Sequence, residues 1–340
     1  MIKTDKITNF TFKRVNSPFD DSGIFVRNVY MKEAVLFDCG RLGSLDNSQL
    51  SNISSIFVTH AHMDHFSGFD RFLRGCLLSN KTFKLFGPKG FINNVKGKLA
   101  GYTWNLIKDY NISFLVSELL EDNKVVSSIF SAKNNFQEEH IGSYYKDKII
   151  LDDDFSLEYE ILDHGIPCIA YRLKEPKRIS INKDSMSKYG YKIGPWIKNL
   201  KEALLLNANE EISVISENGV VKEYAKDLGS KIAEYPKVQD ITYITDIAPS
   251  FDNYKKAVNF SKESFILIIE SVFMNKDLIH AIEKNHLNIG LSKCIYINSC
   301  ANYVSFGHFA SKYDRMRDIF FKELYEGLDK SKIIKLELAR

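Results

Sequence analysis

The chain has 340 residues, and 46 lysines and arginines against 43 aspartates and glutamates leave a formal charge of +3. With 44% apolar residues it can bury a substantial core, which argues against a disordered, collagen-like or coiled-coil chain. The near-balance of charge argues against a generic polyanion binder and leaves open a local basic face.

The first residues alternate polar and apolar side chains and lack the unbroken apolar core of a signal peptide. The longest apolar run, near residues 265–269, is far short of the ~18 residues of a spanning helix. Five scattered cysteines with no C-x-x-C pair read as reduced thiols, so a cytoplasmic protein without membrane contact is expected. Residues 24–38 and 53–59 are β-branched and aromatic-rich and predict strands, followed by helical spacing over 67–77 and 91–108. Strands are expected again over 148–162 and 166–173. A lysine-rich stretch, 174–194, has no clear period and reads as a projecting arm or long loop. A helix over 195–206 follows, with proline at a tolerated early position. The second half predicts strand 241–247, helix 251–261, strand 265–273, helix 276–284, strand 293–298, helix 311–328 and a short strand over 333–338. Such alternation implies α/β layers.

The most specific feature is Thr59-His60-Ala61-His62-Met63-Asp64-His65, between an apolar strand and a helix. Side chains of an extended segment repeat with period two, so His60 and His62 point to one side. Asp64 and His65 converge from the turn into the helix. Three imidazoles and a carboxylate in six residues suit a borderline-soft divalent ion, zinc first and manganese second.

Histidine pairs of the form H-x-H-x-D-H after a strand resemble the metallo-β-lactamase superfamily, and the surrounding sequence is similar to its ribonuclease Z branch. Leu36-Phe37-Asp38-Cys39-Gly40, Phe86-Gly87-Pro88-Lys89-Gly90 and His164-Gly165-Ile166-Pro167 with Ala170-Tyr171-Arg172 carry that resemblance, as does Gly190 through Trp196 followed by Leu200-Lys201. It runs from about Val35 to Tyr303. It implies one hydrolase domain over residues 1–340, a four-layer αβ/βα sandwich, with a basic arm at 174–200. It further implies two ions: His60, His62 and His164 on one, Asp64 and His65 on the other, and Asp246 bridging. Asp64 and Glu270 are the implied catalytic residues, and a homodimer acting on precursor tRNA is the implied assembly and substrate.

Two positions depart from the family pattern. Ile269-Glu270-Ser271 stands where the family has His-Glu-Ala, keeping the acid and not the histidine. The last ligand histidine of the family aligns with Asn298-Ser299, and asparagine is a poor zinc ligand; His308 and His286 are the candidates to replace it. Basic residues concentrate from Arg71 to Lys108, and again from Arg172 to Lys201, where Tyr189, Tyr191 and Trp196 could stack on or pack against nucleic acid. The expected function is metal-dependent phosphodiester hydrolysis. A cyclic-nucleotide or other small phosphodiesterase, an ester or lactone hydrolase and a degenerate, non-catalytic relative that binds nucleic acid or nucleotide are the competing readings.

Overall fold

The computed structural model describes residues 8–336 and residue 338. Contacts divide the chain into a main unit, up to residue 174 and from 239 onward, and a second unit of residues 175–238.

In the main unit, β1 (Phe10–Arg14), β2 (Ile24–Asn28), β3 (Ala34–Phe37), β4 (Ile53–Phe57), β5 (Thr82–Gly87), β6 (Ser113–Leu119), β7 (Lys124–Ser131) and β8 (Glu138–Tyr145) form one sheet in that order. Strands β3 to β6 are parallel to one another and the flanking pairs are antiparallel. Next come β9 (Ile149–Ile150), β10 (Ser156–Asp163) and β11 (Pro167–Lys174).

The second unit follows, with β12 (Ser180–Ile181), the hairpin β13 (Glu211–Ser216) and β14 (Gly219–Tyr224), and β15 (Ala233–Glu234). Its helices Lys183–Lys188, Trp196–Leu205 and Ala225–Ile232 enclose a small core of Met186, Trp196, Leu200, Val214 and Leu228. The stretch 174–194, expected to be irregular, thus carries β12 and a helix. That helix begins at Asn182, whose side chain accepts from the Ser185 N–H.

Back in the main unit, β16 (Asp240–Ile244), β17 (Ile266–Glu270) and β18 (Tyr303–Gly307) complete a second sheet, ordered β18-β17-β16-β11-β10-β9. All of β4, β16 and β17 is buried, as strands covered on both faces must be. One apolar cluster draws Phe37, Phe57 and Phe86 from the first sheet and Tyr171, Tyr243 and Ile268 from the second, so the sheets pack face to face. Within it Phe57 lies 5.2 Å from Phe37 and 5.6 Å from both Phe86 and Tyr171, ring centre to centre. Separate clusters pack helices such as Phe69–Cys76 and Phe91–Ala100 on the outer face of the first sheet and Phe251–Phe260 on that of the second. The fold is the expected four-layer αβ/βα sandwich.

One expected element is overturned. Residues 293–298 are not a strand but belong to the helix Ile289–Ser299. Asn288 caps its start by accepting from the Leu291 N–H, and the isoleucines that read as β-branched strand residues lie along a helix with a largely buried face. The expected strand over 333–338 reduces to isolated bridges at Ile333 and Leu338.

Candidate metal centre

Parallel strands place their C-terminal ends along one edge of a sheet, and here both sheets do so at the same edge. The chain leaves β3 at Asp38, β4 at His60, β16 at Asp246, β17 at Glu270 and β18 at His308, while His164 sits in the turn from β10 to β11. Three of these residues, Asp38, Asp246 and His308, have left-handed backbones, with φ of 56°, 53° and 52°. A non-glycine residue adopts that conformation at a cost of about 1–2 kcal/mol, and such strain concentrates at working sites.

The stretch from His60 to His65 is held from below by its neighbours. The Cys39 N–H donates to the His65 carbonyl (2.7 Å) and the Gly68 N–H to the Cys39 carbonyl (2.8 Å). These approaches require glycine: a Cβ on Gly68 would lie 1.9 Å from the Gly40 oxygen, and one on Gly40 would lie 2.3 Å from the Asp64 oxygen. The Ser17–Gly23 loop is tied in as well. The Ser22 N–H donates to the Asp64 carbonyl (3.0 Å), and its hydroxyl faces His308 Nδ1 (2.9 Å).

Three four-donor groups result among the described residues, each with its ligand atoms within 4.8 Å of one another: His60, His62, His164 and Asp246; Asp64, His65, Asp246 and His308; and Asp246, Glu270, His286 and His308, whose Glu270 and His286 are paired with each other. Asp246 belongs to all three. Its Oδ2 lies 3.6 Å from Nε2 of His60, 3.3 Å from that of His65 and 3.6 Å from that of His164, while Oδ1 lies 3.1 Å from His308 Nε2. The structure therefore brings together all six residues named from the sequence as ligands. Of the two candidates to replace the last histidine, His308, on the turn after β18, joins the second group, and both His308 and His286 stand in the third. Asn298 itself is exposed on its helix and donates to the Tyr254 hydroxyl and the Cys294 carbonyl.

The donor set fits a metal on structural grounds. His60 Nε2 and His65 Nε2 are buried with no hydrogen-bond partner, an expensive state for a polar atom unless it ligates. Each of four imidazoles also has its Nδ1 placed against an acceptor or hydroxyl, leaving Nε2 to face the centre: Thr59 for His60 (3.1 Å), Asp38 for His65 (2.8 Å), the Asn285 carbonyl for His164 (2.7 Å) and Ser22 for His308. Burial, aided by His65, pushes His60 down to about 2, so it is neutral and able to ligate. Burial acts to raise Asp64, and the hydrogen bond and charge of His65 outweigh it and hold the carboxyl below its ordinary range. Burial likewise opposes ionisation of Asp246, and His308 and His65 overcome it.

Glu270 is buried and fully engaged. Its Oε1 accepts from the N–H groups of Ile247 (3.1 Å) and Leu287 (3.0 Å), and its Oε2 faces His286 Nδ1 (2.9 Å). Burial works against protonation of His286, yet Glu270 lifts it to about 9. Ile269 faces the apolar core.

The basic segments are less bare than their sequence implies. Lys81, Lys84, Lys96 and Lys98 pair with Glu33, Asp152, Glu138 and Asp70, and Arg172 pairs with Asp240. Trp196 and Tyr191 are buried in the second unit, and Tyr189 is 45% exposed with its ring stacked on Tyr191, ring centres 5.9 Å apart.

No protein-family model matches the chain. It is 27% identical over 316 residues to ribonuclease Z of Nanoarchaeum equitans, covering 90% of this chain and 83% of that one. It is also 26% identical over 303 residues to ribonuclease Z of Methanococcus aeolicus, covering 87% and 81%. The fold is similar to human tRNase Z, short form, with a TM-score of 0.52, 15% identity and 97% of both chains covered. It is similar too to the metallo-β-lactamase fold protein YhfI from Bacillus subtilis, with a TM-score of 0.54, 12% identity and 97% of both chains covered. This chain has the metallo-β-lactamase fold and is a homologue of the ribonucleases Z.

Proposed function

We propose that the protein is a two-metal phosphodiester hydrolase that cleaves tRNA precursors at the 3′ side, with zinc as the resident ion. The observation that carries the reading is Asp246, one carboxylate shared between two complete donor groups. His60, His62, His164 and Asp246 would hold one ion, and Asp64, His65, Asp246 and His308 the other. Such a pair supplies Lewis acidity toward phosphoryl oxygens and acidifies water. Five imidazoles and two carboxylates in the combined set favour zinc over harder ions.

The chain's own residues divide the remaining work. Asp64, whose side chain is 45% exposed, keeps an ionised carboxylate at the open side of the cluster, where it orients a water and accepts its proton. Glu270 acts as a positioning residue, since its three hydrogen bonds tie the turn after Asp246 to the loop carrying His286. With the buried Ile269 standing within β17 where the family keeps histidine, leaving-group protonation falls to water or to another residue. Tyr189 and the unpaired lysines of 175–238 would meet the RNA backbone. A cytoplasmic homodimer completes the reading, and light scattering checks the dimer.

Metal-loaded protein compared on precursor tRNA, a cyclic nucleotide and a generic phosphodiester should cleave the tRNA most efficiently. A preference for the cyclic nucleotide would replace this substrate with a small one, and no turnover with fewer than two ions per chain would favour a binding protein. Asp64→Ala should abolish turnover with the fold intact by circular dichroism; wild-type activity in that variant would sink the mechanism.

A further inference from the structure

The second ring of contacts around the cluster is uneven. His60, His164 and His308 present Nδ1 to a hydroxyl, a backbone carbonyl and a hydroxyl. His65 presents its Nδ1 to the Asp38 carboxylate at 2.8 Å. Asp38 is fully buried on the left-handed turn after β3, and its four hydrogen-bonding contacts use both oxygens. Oδ1 accepts the Thr59 N–H (2.8 Å) and the Thr59 hydroxyl (3.0 Å), and Oδ2, which meets His65, accepts the Tyr243 hydroxyl (2.8 Å). Tyr243 belongs to the opposite sheet, on β16, and is itself buried.

We propose that Tyr243 is a positioning residue for the ion held by His65, acting across the sandwich through Asp38, and that it has no such role for the other ion. The inference rests on the two-metal reading of the site. Charge-assisted hydrogen bonds are the stronger and more directional kind, so Asp38 sets the ring plane of His65 more tightly than a hydroxyl would. A carboxylate can do this only if its own orientation is fixed. Thr59 fixes one oxygen and Tyr243 the other. Without the Tyr243 hydroxyl, Oδ2 keeps a single partner, and the carboxylate and ring can swing together. Of His60, His62 and His164 only His60 touches this network, through the Thr59 hydroxyl on Oδ1, and Tyr243→Phe leaves that bond in place, so their ion should not register the change. Thr59 is unsuitable as a probe because its hydroxyl also faces His60; Tyr243→Phe removes one atom and preserves the packing against Phe37.

The test is equilibrium zinc binding by the full chain against a competing chelator, after the protein has been stripped of metal. Wild type should bind two ions. Tyr243→Phe should keep one affinity unchanged and lose about tenfold or more in the other, the range typical of lost outer contacts to a metal ligand. In a His308→Ala background, where the second donor group is incomplete, Tyr243→Phe should leave the remaining ion's affinity unchanged. Asp38→Asn should weaken the same ion further, and if it fails to fold the tyrosine variant decides alone. Equal affinities for both ions in Tyr243→Phe, or parallel weakening of both, would overturn the proposal. Wild-type protein that binds no zinc would instead remove the two-metal reading beneath it.

Discussion

Asp246 stands at a left-handed turn, 2% exposed, with a donor on nearly every side of its carboxylate. Because both groups share it, Asp246→Asn should drop the zinc content from two ions to nearly none, whereas His308→Ala should leave about one. Elemental analysis of purified variants separates these outcomes. His286 supplies a second residue-scale expectation. Glu270 raises its folded value to about 9 against about 6.5 when unfolded. A raised histidine stabilises the fold fully below its unfolded value and loses that contribution as the pH climbs through the folded one. In metal-stripped protein, the Tm gap between wild type and His286→Asn should be widest below about pH 6.5 and close toward about pH 9. A gap that widened with pH would contradict the Glu270–His286 pairing.

At the level of elements, the turns that carry donors are fastened by side chains from other segments. Asn253, buried in the helix Phe251–Phe260, accepts from the Asp163 N–H (2.9 Å) and donates to the carbonyls of Asp163 (2.7 Å) and Ala248 (2.8 Å). It thereby joins the turn bearing His164 to the one following Asp246. Asn253→Ala should destabilise the protein by about 2–3 kcal/mol, because backbone groups inside would lose their partners. It should also weaken the ion held by His164, readable by the same chelator competition.

Element scale also explains what the sequence made legible. His60, His62, Asp64 and His65 are neighbours in the chain, so their convergence follows from strand period and one turn. Asp246 and His164 were reachable only through resemblance, since a lone strand-end acid or histidine has many uses. His308 was one of two candidates that the sequence left open, because 293–298 read as a strand and its polar end drew attention to Asn298. The Glu270–His286 pair spans 16 residues, and no local pattern announces it. The hairpin β13–β14 lies in a stretch given no element at all, because mostly exposed strands carry little apolar signal.

For the whole molecule, the junctions of the second unit are informative. Lys174 at the end of β11 pairs with Asp240 at the start of β16, so the strands that flank residues 175–238 are already neighbours in one sheet. Replacing that unit with a short glycine-serine turn should leave the sandwich folded and hydrolysis of a small diester largely intact. Precursor tRNA cleavage should fall at least tenfold if the unit meets RNA as proposed; equal loss on both substrates would show that it supports the hydrolase fold instead.

The left-handed turns at Asp38, Asp246 and His308 give the working edge a character of its own. Three backbones held away from their preferred basins, around clustered imidazoles and carboxylates, store local strain in that rim of the metal-free chain. Ligation would turn the same geometry into the favoured one. Amide hydrogen exchange should then slow more along this rim than in the strands behind it when stripped protein is loaded, so that ion content sets how stiff the working edge is.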